Sequence, residues 1–501
     1  MSKSKFVGNV LIITIYAIIA KVLSFVVELL LAVKFGANNQ TDVFFMAYGI
    51  VQIIWPMITI GIWKVYMPEY KTRISLGRYN EAFSFTNKLL CVFLIIVTVI
   101  SFMIIIYPPL IIRIFAPGFS PSKIAMCSSM FRILSVMFIF NTITTFYSVI
   151  LQSHGYWGES QIKEIIQFVP PVIFLLFFTS WYGIEGVSVS IVVGAILSVF
   201  VAAYLTRKVY RFRFPQTSLF DKEIIDVLKS VPAACLNAVV NQINGIVDKA
   251  FSSGLVIGSL TYLNYGSRFI HLFDGLFSSA ISIVLFPHMT ELVAKREDIK
   301  LKALIRDYLL LILAIMIPVS IFIVAYSFDL IDVAFGYGKF QSGDVSETSM
   351  VLMMYAIGLP AMGITVVIND LFYIKKRANE LLFTTVVCVV INVILDFLLI
   401  RQFGVAALAL ATSIAYYLAL IIKFFMLRED VSIDKQIITS IFYISAISTI
   451  GIIVSQLVIS LLCLHKIVKL ITVFIIFFVV YMVLLISFSN YYRRKIISLV
   501  R

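Results

Sequence analysis

LLCVFLIIVTVISFMIIIYPPLII, running from Leu89 to Ile112, contains no charged residue. LITVFIIFFVVYMVLLISF, from Leu470 to Phe488, contains none either. A helix needs about 20 apolar residues to cross a bilayer, and a barrel strand only about 10. Both runs therefore read as membrane-spanning helices. Outward from them, similar segments lie near 7–35, 42–68, 124–151, 161–181, 187–206, 228–251 and 259–288. Others follow near 307–328, 349–374, 380–400, 405–427 and 437–462. With the two uncharged runs this predicts an all-α, polytopic membrane protein of about 14 transmembrane helices.

Composition agrees. The chain has 501 residues, 61% of them hydrophobic and 13% charged, with a mean hydropathy of +1.03. Soluble domains carry about 25% charged residues. An ordinary cytosolic enzyme, a nucleic-acid-binding domain and a disordered chain are excluded. The formal charge of +14 reads as topology rather than as a nucleic-acid footprint, because loops on the cytoplasmic side collect Lys and Arg. Counted on alternate connections, these residues divide 28 to 8, with Lys21, Lys64, Arg132 and Arg268 inside helices. An even helix number with both termini cytoplasmic is expected.

The five cysteines are scattered and form no CxxC pair, so neither a disulfide framework nor a zinc site is indicated. Lys3 and Lys5 before an apolar run imitate a signal peptide, but Lys21 and Glu28 interrupt it, and a retained first helix is expected. The 207–229 connection separates six helices from eight, and Asp221-Lys222-Glu223 with Asp226 predicts a short interfacial helix there. The expected divisions are 1–206, 207–229, 230–428 and 429–501. Gly186-Val187-Ser188-Val189-Ser190 and Gly404-Val405-Ala406-Ala407-Leu408 open corresponding helices and form a faint internal echo. Prolines 56, 170, 171, 232, 318 and 360 predict kinks.

Charges at membrane depth are costly and usually face a cavity or a partner. Lys21 and Glu28 share a face of helix 1, and Asp42 opens helix 2. Asn237, Asn241, Asn244 and Asp248 form one stripe on helix 7. Arg268 lies in helix 8, with His271 and Asp274 beyond it. These residues either line a hydrated cationic cavity or tie helices together. Guanidinium stays charged and grips phosphate bidentately, which makes Arg268 a candidate anion site, or else one half of a structural salt bridge. Asn392 and Asp396 share a face of helix 11, and Thr412 lies in the next helix. With Asp248 they offer oxygen ligands for a hard cation such as Na⁺, for a proton, or for an interhelical hydrogen-bond cluster. No GxxxxGK, GxSxG or HExxH motif occurs, and the four histidines are dispersed. No catalytic residue and no covalent cofactor are expected.

Several motifs, in order, resemble the lipid II flippases of the MviN/MurJ type. They are Gly36-Ala37, Thr41-Asp42-Val43-Phe44-Phe45, Phe115-Ala116-Pro117-Gly118-Phe119 and Asn264-Tyr265-Gly266-Ser267-Arg268. Phe286-Pro287, Tyr337-Gly338-Lys339-Phe340 and Phe372-Tyr373 continue the series. The resemblance covers nearly the whole chain. It places the chain in the multidrug/oligosaccharidyl-lipid/polysaccharide exporter superfamily. It implies two lobes, alternating access, a cationic cavity for the head group of an undecaprenyl-diphosphate-linked saccharide, and a lipid-tail groove formed by helices 13 and 14 within 429–501. Arg268 and Asp42 then stand at the family's helix 8 arginine and helix 2 acid, and Lys21 at a helix 1 arginine. Asp248, Asn392, Asp396 and Thr412 resemble its sodium site, with Na⁺ or H⁺ as coupling ion. The family's helix 2 arginine pair is missing: Ile53-Ile54-Trp55-Pro56 stands there, and Lys64 is a partial substitute.

The expected function is a bacterial plasma-membrane flippase for lipid II, serving peptidoglycan synthesis. Its partners are the lipid substrate and membrane lipids, without nucleic acid, and a monomer suffices. A flippase for a capsule, O-antigen or teichoic-type unit is the alternative. A cation-coupled drug exporter is disfavoured by Arg268 and Lys21, and a membrane glycosyltransferase by the short loops.

Overall fold

Apolar runs leave the backbone no water to bond, so each run closes its hydrogen bonds internally as a helix. The computed structural model describes the chain except at residues 1–2, 217, 432–433, 463, 489–490 and 494–501. For 3–11, 61, 232–241, 274, 276, 278–280, 283–284 and 488 it describes only the backbone. The described residues form helices and no strand.

One compact unit comprises residues 1–261 with 338–340. It holds α1 (Lys3–Phe35), α2 (Asn39–Ser75), α3 (Tyr79–Ile106), α4 (Pro108–Phe115) and α5 (Pro121–Ser135). It continues with α6 (Met137–Ser153), α7 (Glu159–Phe177), α8 (Thr179–Thr206) and α9 (Lys222–Ser253), and ends at the start of α10 (Ser259–Ala294). The second unit comprises 262–337 and 341–501. It holds the rest of α10 with α11 (Asp298–Phe335), α12 (Ser342–Ile374), α13 (Ala378–Phe403), α14 (Ala406–Met426), α15 (Lys435–Ser460) and α16 (Lys466–Phe488).

Twelve spans among the described residues are long and apolar enough to cross a membrane, with α5 and α6 together counting as one, Pro121–Ser153. α9 and α10, of 32 and 36 residues, are also long enough to cross and bring the number to the expected fourteen. The separate interfacial helix expected near 221–226 is instead the first turns of α9. Asp221 caps that helix, its Oδ1 accepting from the Ile224 N–H at 2.9 Å, and the helix then continues unbroken.

α2 runs through Pro56, α7 through Pro170 and Pro171, and α12 through Pro360. The backbone departs from helix at Gly183 and Tyr326, and α5 gives way to α6 at Val136, none of which is a proline. Gly183 has φ +55° and ψ −153°, and Gly404 has φ +56° and ψ −134°. These values lie close to a region that essentially only glycine occupies. The two glycines share one backbone conformation, whereas Gly186, set against Gly404 in the sequence, lies within α8.

Helix packing inside a membrane depends on close contact rather than on escape from water. In the second unit, Ala407, Ala411, Ala415 and Ala419 form a buried stripe on α14. Ser413 beside it donates to the Met354 carbonyl at 2.7 Å, where Gly358 leaves no room for a Cβ. Tyr481 of α16 donates to the Ala314 carbonyl of α11 at 2.6 Å, and Phe322 packs on Phe477. In the first unit, Tyr66, Tyr70, Phe85, Phe93 and Phe146 make an aromatic core, and Tyr66 meets the Thr86 hydroxyl at 2.9 Å. Outward surfaces of α3 and α16 remain apolar, with Phe102, Ile106, Ile471 and Phe474 exposed. That is the surface a helix shows to lipid.

Lys423 falls inside the expected 405–427 span. It lies within α14, is 4% exposed, and donates to Asn369 Oδ1 at 2.9 Å.

Candidate functional site

In the first unit, two of the quoted motifs converge on the segment around residues 253–261. Asn38 caps α2 through a reciprocal box: its Oδ1 accepts from the Gln40 and Thr41 N–H groups, and its own N–H donates to Thr41 Oγ1 at 2.9 Å. This orients the next residue, Asp42, which is 2% exposed. Asp42 Oδ2 accepts the Gly258 N–H at 2.7 Å. Its Oδ1 accepts the N–H and the hydroxyl of Thr261, at 3.0 and 2.8 Å. Gly118 donates its N–H to Ser253 Oγ at 3.0 Å and lies against the Gly254 backbone. Gly36, at φ +71°, faces the Lys339 backbone, whose N–H donates to the Val33 carbonyl at 2.9 Å. Two motifs about 300 residues apart in the chain thus meet.

Lys21 is half-buried and Glu28 is 5% exposed on the same α1 face, and Lys64 is exposed on α2. Asn237 and Asn241 lie on α9 outside the residues whose side chains are described. Asn244 is half-buried and Asp248 buried. Among the described residues, Oδ1 of each accepts no hydrogen bond. Lys249 follows Asp248 on α9. A Cβ on Gly49 would stand 2.5 Å from its Nζ, so Gly49 makes the space for that side chain against α2. A cavity of about 170 Å³ in this unit is lined by Gln52, Trp55, Asn141, Lys163 and Gln167. Gln52 and Trp55 flank the isoleucines that replace the arginine pair. The sequence contains these residues, but nothing in it signals their convergence from α2, α6 and α7.

In the second unit, the motif around Arg268 is held on both sides. Tyr262 donates to Asp344 at 2.8 Å, Tyr265 is buried against Phe335 with ring centroids 4.7 Å apart, and Gly266 packs on Val351. Arg268 itself is half-buried. The side chain of Asp274 lies outside those described, and His271 is exposed.

The expected cation ligands partly assemble. Asn392 Nδ2 donates to Thr412 Oγ1 at 3.2 Å, and Asn392 and Asp396 are both fully buried one turn apart on α13. Among the described residues, Asn392 Oδ1 accepts nothing. A buried amide oxygen without a donor, beside a hydroxyl and a buried carboxylate, suits a small hard cation. Asp248 belongs to the first unit. Among the described residues, no three His, Cys, Asp or Glu side chains gather, so transition-metal chemistry has no framework there.

Outside the spans, Lys88 at 2.7 Å holds the Asp221 carboxyl below its ordinary value. Burial lowers His154, whose Nε2 lies 3.2 Å from the Tyr70 hydroxyl.

Long apolar helices, two compact units and isolated charges on those helices define a polytopic membrane transporter rather than an enzyme. The family model described as "Lipid II flippase MurJ" matches residues 31–483. The chain belongs to that family, whose members are multi-pass proteins of the bacterial inner membrane. It is 25% identical over 438 residues to a probable lipid II flippase MurJ of Buchnera aphidicola subsp. Baizongia pistaciae, covering 85% of this chain and 84% of that protein. A solved structure of the lipid II flippase MurJ in an inward closed conformation superposes with a TM-score of 0.83 at 24% identity, covering 97% of this chain and all of that one. An inward-facing multidrug resistance MATE family transporter of the MOP superfamily shares the fold at a TM-score of 0.71 and 12% identity, covering 82% and 94%. The family match favours lipid II over the other lipid-linked units weighed from sequence.

Proposed function

We propose that this chain carries lipid II from the cytoplasmic to the outer leaflet by alternating access, with both termini in the cytoplasm and as a monomer. Arg268 grips the diphosphate. Asn392, Asp396 and Thr412 take a Na⁺ ion whose gradient drives return. Asp42 is left out of the substrate contacts, because both of its oxygens already hold the 258–261 segment.

The observation that carries this reading is Arg268. A charge at the centre of a membrane helix costs about 2.5–3.5 kcal/mol on insertion scales, and Arg268 stands on a stretch of α10 whose Tyr265 and Gly266 are packed. A guanidinium at membrane depth matches the oxygens of an anionic head group. Moving a diphosphate and two sugars through hydrocarbon costs many kcal/mol without replacement partners.

Expression in a bacterium depleted of its own lipid II flippase tests the reading. Growth restored by the wild type and lost with Arg268→Ala at equal protein level is expected. No rescue by well-expressed wild type refutes lipid II as substrate.

A further inference from the structure

The segment after α8 turns back on the start of α3 and is pinned there. Tyr210 is buried and donates to Asn87 Oδ1 at 2.5 Å, and the Arg213 N–H reaches the same oxygen at 3.4 Å. Together they enclose a groove of about 910 Å³. Its walls carry Asn80 and Asn87 from one face of α3, and Arg207, Lys208, Arg211 and Arg213 from the segment. No carboxylate lines it.

Other basic connections carry their own counter-charges. Lys295 meets Glu291 at 2.5 Å, Lys300 meets Glu297 at 2.8 Å, and Lys375 meets Asp430. Arg73 pairs with Glu223, and Lys88 with Asp221 at 2.7 Å. Among the described residues, none of the four groove cations has a carboxylate within 4.0 Å. Four unneutralised cations beside two amide side chains form a site for phosphate oxygens, and the guanidinium fork matches their geometry. The groove sits where two membrane helices end, and its rim is aromatic. Phe214 is 82% exposed, and Arg207 stacks over exposed Tyr204 at 3.8 Å. An aromatic rim with a cationic floor is the chemistry of a head-group layer.

We propose that this groove binds a phosphate-bearing anion, with the head group of an anionic membrane lipid as its source, at a place separate from the translocation site. The transport reading above is not needed for it.

The test uses the full purified chain in neutral detergent. Its thermal midpoint is followed against phosphatidylglycerol, phosphatidylcholine and inorganic pyrophosphate. The variants are Arg211→Gln/Arg213→Gln, and that pair combined with Arg207→Gln/Lys208→Gln. Both change exposed side chains and leave the Tyr210–Asn87 anchor intact. Lys300→Gln/Lys302→Gln is the control for general positive charge. The expected result is a rise with phosphatidylglycerol but not phosphatidylcholine, about tenfold weaker apparent binding in the fourfold variant, and no change in the control. A rise with pyrophosphate but not with phosphatidylglycerol, lost in the same variants, keeps the phosphate site and overturns the lipid as its source. No rise with either anion, or equal loss in the control, overturns the site.

Discussion

Asp42 and Thr261 are joined twice: one carboxylate oxygen accepts both the backbone N–H and the hydroxyl of the threonine, at 3.0 and 2.8 Å. The two residues are 219 positions apart. The bond ties the start of α2 to the first turn of α10, within one compact unit. It also satisfies a donor at a helix beginning, where N–H groups have no partner within the helix. Thr261→Val keeps the shape and removes the hydroxyl, and should lower stability by about 1–3 kcal/mol. Asp42→Ala orphans two buried N–H groups as well and should cost more. Thermal midpoints of the purified variants check the order. Equal midpoints for Asp42→Ala and wild type would return Asp42 to the substrate contacts.

Gly183 and Gly404 occupy nearly the same positive-φ conformation before corresponding helices. A Cβ at either position meets no atom within 4 Å, so crowding is not at issue. Alanine there should cost about 1–3 kcal/mol through backbone strain alone. Gly245 also has open space, but its φ lies outside that region. Gly245→Ala should therefore be neutral or stabilising. Unfolding curves of the three variants separate the two effects.

His154 should make stability depend on pH near neutrality. Burial holds it below its ordinary 6.5, so the folded chain binds its proton less readily than the unfolded chain does. Its contribution is complete above pH 6.5 and falls as the pH drops through the lower, folded value. The thermal midpoint should decline as the pH falls below about 6.5, and His154→Gln should reduce that decline. An unchanged slope in the variant would rule out this residue.

The α13–α14 cluster predicts a sodium effect. Thr412→Val removes the hydroxyl bonded to Asn392, and Asp396→Asn removes the buried charge. Transport measured across a sodium titration at constant ionic strength should lose its sodium dependence in Asp396→Asn and shift to higher sodium in Thr412→Val. A titration identical to wild type in both would exclude the ion site.

Much of the architecture was legible because a membrane imposes one rule on every span. Leu89–Ile112 and Leu470–Phe488 needed no long-range information to be read as helices. Lys423 lies within the span expected at 405–427, but its burial is explained only by Asn369, 54 positions away. The interfacial helix merged with α9 because Asp221 starts the helix there and no break follows. For Asp42 the sequence left open a cavity or a tie between helices, because its partners at 258–261 are remote in sequence. Asn392 and Thr412 were found because helical spacing and adjacency of two spans suffice to bring them together. The groove at 207–213 went unread because four basic residues in a connection look the same whether or not carboxylates neutralise them.

The central claim is that Arg268 serves head-group translocation. Its most direct test is the amount of lipid II reaching the outer leaflet of cells whose only flippase is this chain. The amount is measured by cleavage with an enzyme confined outside. Wild type should expose lipid II, Arg268→Lys should expose less, and Arg268→Ala should leave it uncleaved at the same protein level. Undiminished cleavage with Arg268→Ala would contradict the account.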